Sequence, residues 1–167
     1  MRAALAAALA WAALAAPASA LTCDPGRSRV EAQAPALAPG VWGSAPLSGT
    51  MDPSGAFSLS APASAISTGN PLYDGLLRST FRGGISMRAL APPLGGQAKA
   101  RRVHAQAQVL AGVAGGTVPV IVRTLDGPNG RTLRTYFSIP LAPYGVVNPA
   151  GGSPGSVRIA ITAFFPK

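Results

Sequence analysis

The side chains best suited to chemistry are few in this chain and far apart. There is one cysteine, Cys23, and one histidine, His104. A zinc site wants three or four ligands, so this pair cannot build one. Cys23 sits in no motif that marks a nucleophilic thiol with a histidine base. Without a second cysteine it closes no internal disulfide, and it reads as a small apolar residue near the first strand. The acids are Asp24, Glu31, Asp52, Asp74 and Asp126. They fall in different turns and faces, so no two are set as acid and base about a reacting bond. Asp24 and Asp52 suit turns, and Asp74 suits a helix in which Arg78 follows at the favourable i,i+4 spacing. Ser28, Ser60 and Ser79 lie outside any nucleophile elbow. Gly112 to Gly116 opens no helix, so a phosphate loop is not expected there. These residues imply no enzyme, no metal and no required cofactor.

Charge narrows the partners. The 167 residues carry 14 basic and 5 acidic side chains, a formal net charge of +9, and twelve of the basic residues are arginines. Such a balance favours anionic partners. The arginines are scattered, however, with Arg101-Arg102 the densest run, and no basic stretch interleaves with aromatics as a single-strand binder requires. Nucleic acid is therefore not an expected partner, and a solvated arginine-rich surface accounts for the charge.

The N-terminus has the three parts of an export signal. Arg2 supplies a positive start, and Ala3 to Ala16 is an apolar run containing Leu5, Leu9, Trp11 and Leu14. Pro17 ends it, and Ala18-Ser19-Ala20 is a small-x-small cleavage site. The run falls short of the roughly 20 residues that span a bilayer, and no later stretch qualifies as a transmembrane span. The expected organisation is a signal peptide over 1–20 and one domain over 21–167, placed in the periplasm or secreted.

Beyond the leader, the elements alternate with period two, the signature of strands with one buried face. Arg29 to Ala36 sets Val30, Ala32 and Ala34 against Glu31 and Gln33. Val41 to Met51 follows, then the turn Asp52-Pro53-Ser54-Gly55, then Ala56 to Ala61 with Phe57 and Leu59 on one face. Asn70 to Phe81 reads instead as one short helix, with Asn70 as N-cap, Pro71 at the first position, and Leu72, Leu76 and Leu77 sharing a side. Further strands are expected over Ile85 to Leu90, Ala98 to Leu110, Thr117 to Leu125, Arg131 to Leu141 and Ser156 to Phe165. Gly115-Gly116 marks one turn, and Asp126-Gly127-Pro128-Asn129-Gly130 is the strongest hairpin signal. The sum is eight strands and one short helix. With 20 glycines, 17 prolines and few aromatics, this suggests an all-β antiparallel barrel, whose closure removes exposed edges.

Several segments then resemble a known family. Asp24-Pro25 through Ser28 and Val30 is similar to the opening strand of YceI-like proteins, and Leu47-Ser48-Gly49-Thr50-Met51 to a short strand that follows. The most specific stretch is Ala65-Ile66-Ser67-Thr68-Gly69-Asn70, continuing through Asp74 to Leu77-Arg78-Ser79. Gly112-Val113 and Val118-Pro119-Val120 resemble a later strand. The sequence departs from the family where Thr80-Phe81-Arg82-Gly83-Gly84 replaces an aromatic pair. The resemblance implies a lipocalin-like, eight-stranded β-barrel that binds a polyisoprenoid, such as a quinone tail, or another lipid.

On that fold, the inward faces would line the ligand. They are Val30 and Ala32 on the first strand and Phe57 and Leu59 on the third. Ile85 and Met87 follow, with Val103, Ala105 and Ala107 on the next strand, Val118, Val120 and Val122 beyond it, and Val157, Ile159 and Ile161 on the last. The alanines leave volume that a packed core would fill with Leu or Phe. The expected ligand is an isoprenoid or lipid, with a homodimer as a further state. The alternative is a ligand-free structural or stress-related envelope protein on the same fold.

Overall fold

The computed structural model describes residues 19–96, 99–148 and 150–167. Residues 1–18, the bulk of the expected signal peptide, lie outside the described residues.

The chain folds into a single curled antiparallel sheet with one helix. In chain order the strands are β1 (Leu21–Thr22), β2 (Arg29–Gln33), β3 (Gly43–Pro46), β4 (Ser48–Met51) and β5 (Ala56–Ala61). The helix α1 (Pro71–Thr80) follows, and then β6 (Ile85–Leu90), β7 (Ala100–Ala111), β8 (Ala114–Gly127), β9 (Gly130–Pro140) and β10 (Ser156–Pro166). Their order across the sheet is β1-β4-β5-β6-β7-β8-β9-β10-β2-β3. The eight expected strands thus become ten, for two physical reasons. The single strand expected over Val41 to Met51 breaks at Leu47, whose N–H turns to the Ser28 carbonyl at 3.1 Å. A short strand, β1, also pairs ahead of Cys23, Leu21 against Met51. The break at Leu47 also brings the ends of the sheet together. β3 pairs with β2 and β4 pairs with β5, with only Leu47 between them, so the curl closes on itself in the manner of a lipocalin-like barrel.

One turn differs from expectation. β7 and β8 meet at Gly112-Val113, not at Gly115-Gly116, which pair inside β8 with Leu110 and Val109. Gly112 has φ +65°, and a β-carbon there would collide with the Thr80 carbonyl. Only glycine meets both demands, so the turn falls there, fastened by the Gly112 N–H to the Gly84 carbonyl at 3.0 Å.

The inward face follows the period-two pattern. Val157, Ile159, Ile161 and Ala163 of β10 are buried. Ile159 lies opposite Ala32 and Phe137, and Ile161 opposite Val30 and Thr135. Val157, Ile159 and Ile161 each contribute about 1.5–3 kcal/mol by leaving water. The helix adds Leu77, followed by Phe81, both fully buried. Leu72 is 76% exposed, so the expected shared apolar side reduces to Leu77. The helix starts as its sequence dictates: the Asn70 side chain accepts from the Leu72 N–H at 3.0 Å, with Pro71 behind it.

Asp74 is more tightly held than the expected pairing with Arg78 alone would provide. It accepts from the Thr68 N–H at 2.6 Å and the Thr68 hydroxyl at 2.7 Å, while Arg78 stands 3.7 Å away and donates to the Ile66 carbonyl at 2.8 Å. These hydrogen bonds hold the Asp74 carboxyl below the usual range.

Candidate functional site

The site begins with two ladders of unequal length. β7 and β8 pair along their whole length, from Ala100–Leu125 to Ala111–Ala114, and β9 and β10 pair equally fully. Between these two ribbons, β8 and β9 pair only near their hairpin, from Gly127–Gly130 to Arg123–Arg134. Beyond that point the ribbons part. Pro119 sits in the unpaired reach of β8, and a residue without an N–H belongs where a strand has a free edge. The far end is spanned by the Tyr144 hydroxyl, which donates to the Gly115 carbonyl.

A cavity of about 720 Å³ lies at this seam. It takes lining from four consecutive strands and from both faces of the sheet: inward Ala105, Val120, Thr135 and Ile161, and outward His104, Ile121, Arg123, Arg134 and Tyr136 among others. Its size suits one small ligand. A second cavity of about 560 Å³ shares Arg123 and Arg134 with it and adds Arg101, Arg102, Thr124 and Leu125. The β6–β7 ladder also stops short, at Arg88–Gln108, and a smaller cavity of about 480 Å³ opens by Phe57 and Ala89.

The electrostatics of the seam are one-sided. Arg102 lies directly opposite Arg123, and Arg123 directly opposite Arg134. All three are exposed on the outer face. Among the described residues none of them has an acidic partner within ion-pair distance. The acid nearest in sequence to Arg123 is already engaged. Asp126 takes Arg131 at 2.5 Å and 2.8 Å and Arg101 at 2.9 Å. Those bonds, Arg131 first, hold its carboxyl below the usual range against its partial burial. On the inner face, the Thr135 and Thr124 hydroxyls are buried with no hydrogen-bond partner among the described residues.

The fifteen sequence-predicted lining residues all fall on the inward face. Ala105, Val120 and Ile161 line the large cavity. Val103 and Val118 are half-buried on the same two strands. Val30, Ala32, Leu59, Ile85, Met87, Ala107, Val122, Val157 and Ile159 pack in the core, and Phe57 is a core residue that also borders the smallest cavity. His104, Gln106 and Gln108 point outward, as the alternation requires. Sequence reasoning missed Arg123, Arg134, Thr135 and Tyr136. Their signal is positional: only the cross-strand register brings them to one place. Among the described residues no group of three or more His, Cys, Asp or Glu could hold a metal, and no helix is long and apolar enough to cross a membrane.

Solved structures share this architecture. A polyisoprenoid binding domain from Saccharophagus degradans, implicated in plant cell wall breakdown, aligns with a TM-score of 0.65 and 15% identity over 87% of this chain and 97% of that one. BcnA of Burkholderia cenocepacia aligns with a TM-score of 0.61 and 15% identity over 85% of this chain and 98% of its own. Both are YceI-like proteins. The chain has the YceI-like fold. No protein-family model matches the sequence, and no curated protein is significantly similar to it. In this YceI-like barrel the stretch most specific to the resemblance, Ala65 to Ser79, fastens the helix to the sheet: Thr68 and Arg78 meet Asp74, and Ser67 bridges Ser44 through 2.8 Å and 2.9 Å backbone hydrogen bonds.

Proposed function

We propose that this protein is a non-enzymatic carrier of a long apolar ligand, an isoprenoid or similar lipid, exported by its leader to the periplasm or beyond the cell. The observation that carries this function is the cavity of about 720 Å³ at the β8–β9 seam, where inward Ala105, Val120 and Ile161 offer apolar lining between parted strands. The shared fold supports the ligand class, since one of the similar structures is a polyisoprenoid binding domain. The acids support the absence of catalysis, because each has a structural task. Asp24 accepts from the Gly26 N–H at 2.9 Å, Asp52 from the Ser54 hydroxyl at 2.5 Å, and Glu31 stands 3.6 Å from Arg29. Asp74 ties Thr68 to the helix, and Asp126 joins two arginines.

Organic extraction of the purified protein, followed by mass spectrometry, tests the function. An isoprenoid or lipid at near one equivalent is expected. Ala105→Trp should then reduce that yield severely, because the indole occupies the cavity. Protein that carries no lipid and takes none up would leave the structural envelope role in its place. N-terminal sequencing of exported material is expected to begin at Leu21.

A further inference from the structure

The outer lip of the seam carries a second kind of recognition. Arg102, Arg123 and Arg134 form a transverse row on three adjacent strands, each directly opposite the next. Opposed positions on paired strands lie about 4.5–5.5 Å apart, and like charges placed so are destabilising. A folded sheet gains nothing from this arrangement by itself. Nothing among the described residues relieves it: the four ion pairs found there occupy Arg29, Arg78, Arg101 and Arg131. Arg102, Arg123 and Arg134 also make no side-chain hydrogen bond to the rest of the described chain.

Two independent features tie the row to the cavity. Arg123 and Arg134 line both the large cavity and its 560 Å³ neighbour, and Arg102 lines the latter. Thr135, next to Arg134, is 6% exposed, its hydroxyl has no partner among the described residues, and it lines the large cavity from the inside. A buried hydroxyl without a partner is uncommon and calls for an explanation. The seam therefore offers guanidinium forks outside, an unmet hydroxyl at the junction, and apolar Ala105, Val120 and Ile161 inside.

We infer that Arg102, Arg123 and Arg134 form an anion site for the phosphate or pyrophosphate head of an amphiphile whose apolar tail lies in the seam cavity; the tail half of this statement rests on the function proposed above. Guanidinium groups match phosphate oxygens in paired hydrogen bonds, and several of them together suit a multiply charged head. The bound anion turns the repulsion along the row into a shared attraction. A neutral head group would leave all three charges as they stand. A single amphiphile is favoured over a free anion because the same cavity that takes lining from Arg123 and Arg134 takes it from three apolar inward residues.

Calorimetric titration with three probes tests this: farnesyl pyrophosphate, farnesol and inorganic pyrophosphate. At low salt, farnesyl pyrophosphate should bind at least about tenfold more tightly than farnesol, the scale of one or more charge-assisted hydrogen bonds. It should also bind more tightly than inorganic pyrophosphate. The double variant Arg123→Gln/Arg134→Gln should bring the preference over farnesol within about twofold, with a thermal midpoint no lower than that of the parent. Arg158→Gln, an arginine of the same sheet outside the cavity lining, should keep the preference. Equal affinity for farnesol and farnesyl pyrophosphate would overturn the anion site while sustaining the apolar carrier. Binding of neither would overturn the carrier and this inference together. Inorganic pyrophosphate binding as tightly as farnesyl pyrophosphate, with farnesol silent, would overturn the amphiphile in favour of a free-phosphate site. Arginine-dependent sedimentation with phosphatidylglycerol vesicles, without any preference among the three probes, would overturn it in favour of a membrane-docking face.

Discussion

Arg101 and Arg102 are neighbours in sequence and stand in opposite surroundings. Arg101 joins Arg131 on the inward side at the closed end of the barrel. There Asp126 bridges both, and the Pro92 and Pro93 carbonyls take Arg131 at 2.5 Å and 3.1 Å. Arg131 is 1% exposed, and its bonds pin the loop after β6 beneath the β8–β9 hairpin. Arg102 points the other way, into the row with Arg123 and Arg134, with no acid to meet it among the described residues. The two groups share three strands and differ by the parity of the strand. The single carboxylate of this region serves the inward group, where an unpaired charge would be costliest. The outward group is left to solvent and to whatever anion binds it.

Removing Arg131, the inward pivot, should have the largest effect. Arg131→Met strands the Pro92 carbonyl and leaves Asp126 and the Pro93 carbonyl with Arg101 alone. It should cost about 3 kcal/mol, the lower end for a broken buried pair, because Asp126 keeps contact with water. Urea unfolding measures it, and a loss no larger than that of a surface arginine would erase the distinction between the groups.

Acid attacks the same pivot from the other side. The folded pKa of Asp126 is depressed, chiefly by Arg131. Its stabilisation is therefore full above its unfolded pKa, about 3.9, and fades as pH falls through the lower folded value. Thermal midpoints of the parent should hold steady at neutral pH and drop below about pH 4. In Asp126→Asn the drop should be shallower from a lower starting point. An identical acid profile in the variant would mean that other carboxylates, such as Asp74, carry the whole effect.

Arg101→Met should cost less than Arg131→Met, about 1 kcal/mol, since Arg131 still holds Asp126 and Pro93 and the pair is nearer the surface. Equal losses from the two variants would show that both arginines act as pivots.

The smallest effect has the opposite sign. Arg123 stands between two like charges, so Arg123→Gln should raise the thermal midpoint by about 1–3 °C, and Arg123→Glu by somewhat more. Salt near 1 M should remove the gain, because the Debye length falls to about 3 Å. Destabilisation by either variant at low salt would mean that the row is not repulsive.

Much of the fold was legible before any coordinates. The strands from Ala56 to Ala61 and from Ile85 to Leu90 have the bounds their alternation implies. The helix has the cap that Asn70-Pro71 implies, and the β8–β9 hairpin turns at Pro128-Asn129 within the expected loop. The inward faces also follow from alternation, down to Ala107 inside and His104 outside. These are local matters, settled by side-chain period and by the φ that proline, glycine and asparagine favour. The turn between β7 and β8 was misplaced because two glycine-bearing segments lie three residues apart, and only the nearby Thr80 carbonyl selects Gly112. The candidate site was legible in its apolar half alone: Ala105, Val120 and Ile161 came from pattern, whereas Arg123, Arg134, Thr135 and Tyr136 did not.

Residues within a few positions of one another settle most of the strands, their buried faces, the helix cap and the β8–β9 hairpin, whereas the break at Leu47 and the turn at Gly112 needed partners from farther along the chain. Where the β8–β9 ladder stops, which arginines face one another across it, and which of the candidate lining residues border open space are set in the folded sheet alone. Those depend on register and curl, set by contacts between strands that lie far apart in the chain. A shift of one residue in register would reverse every face, so the arginine row and the seam exist only once the whole sheet has closed.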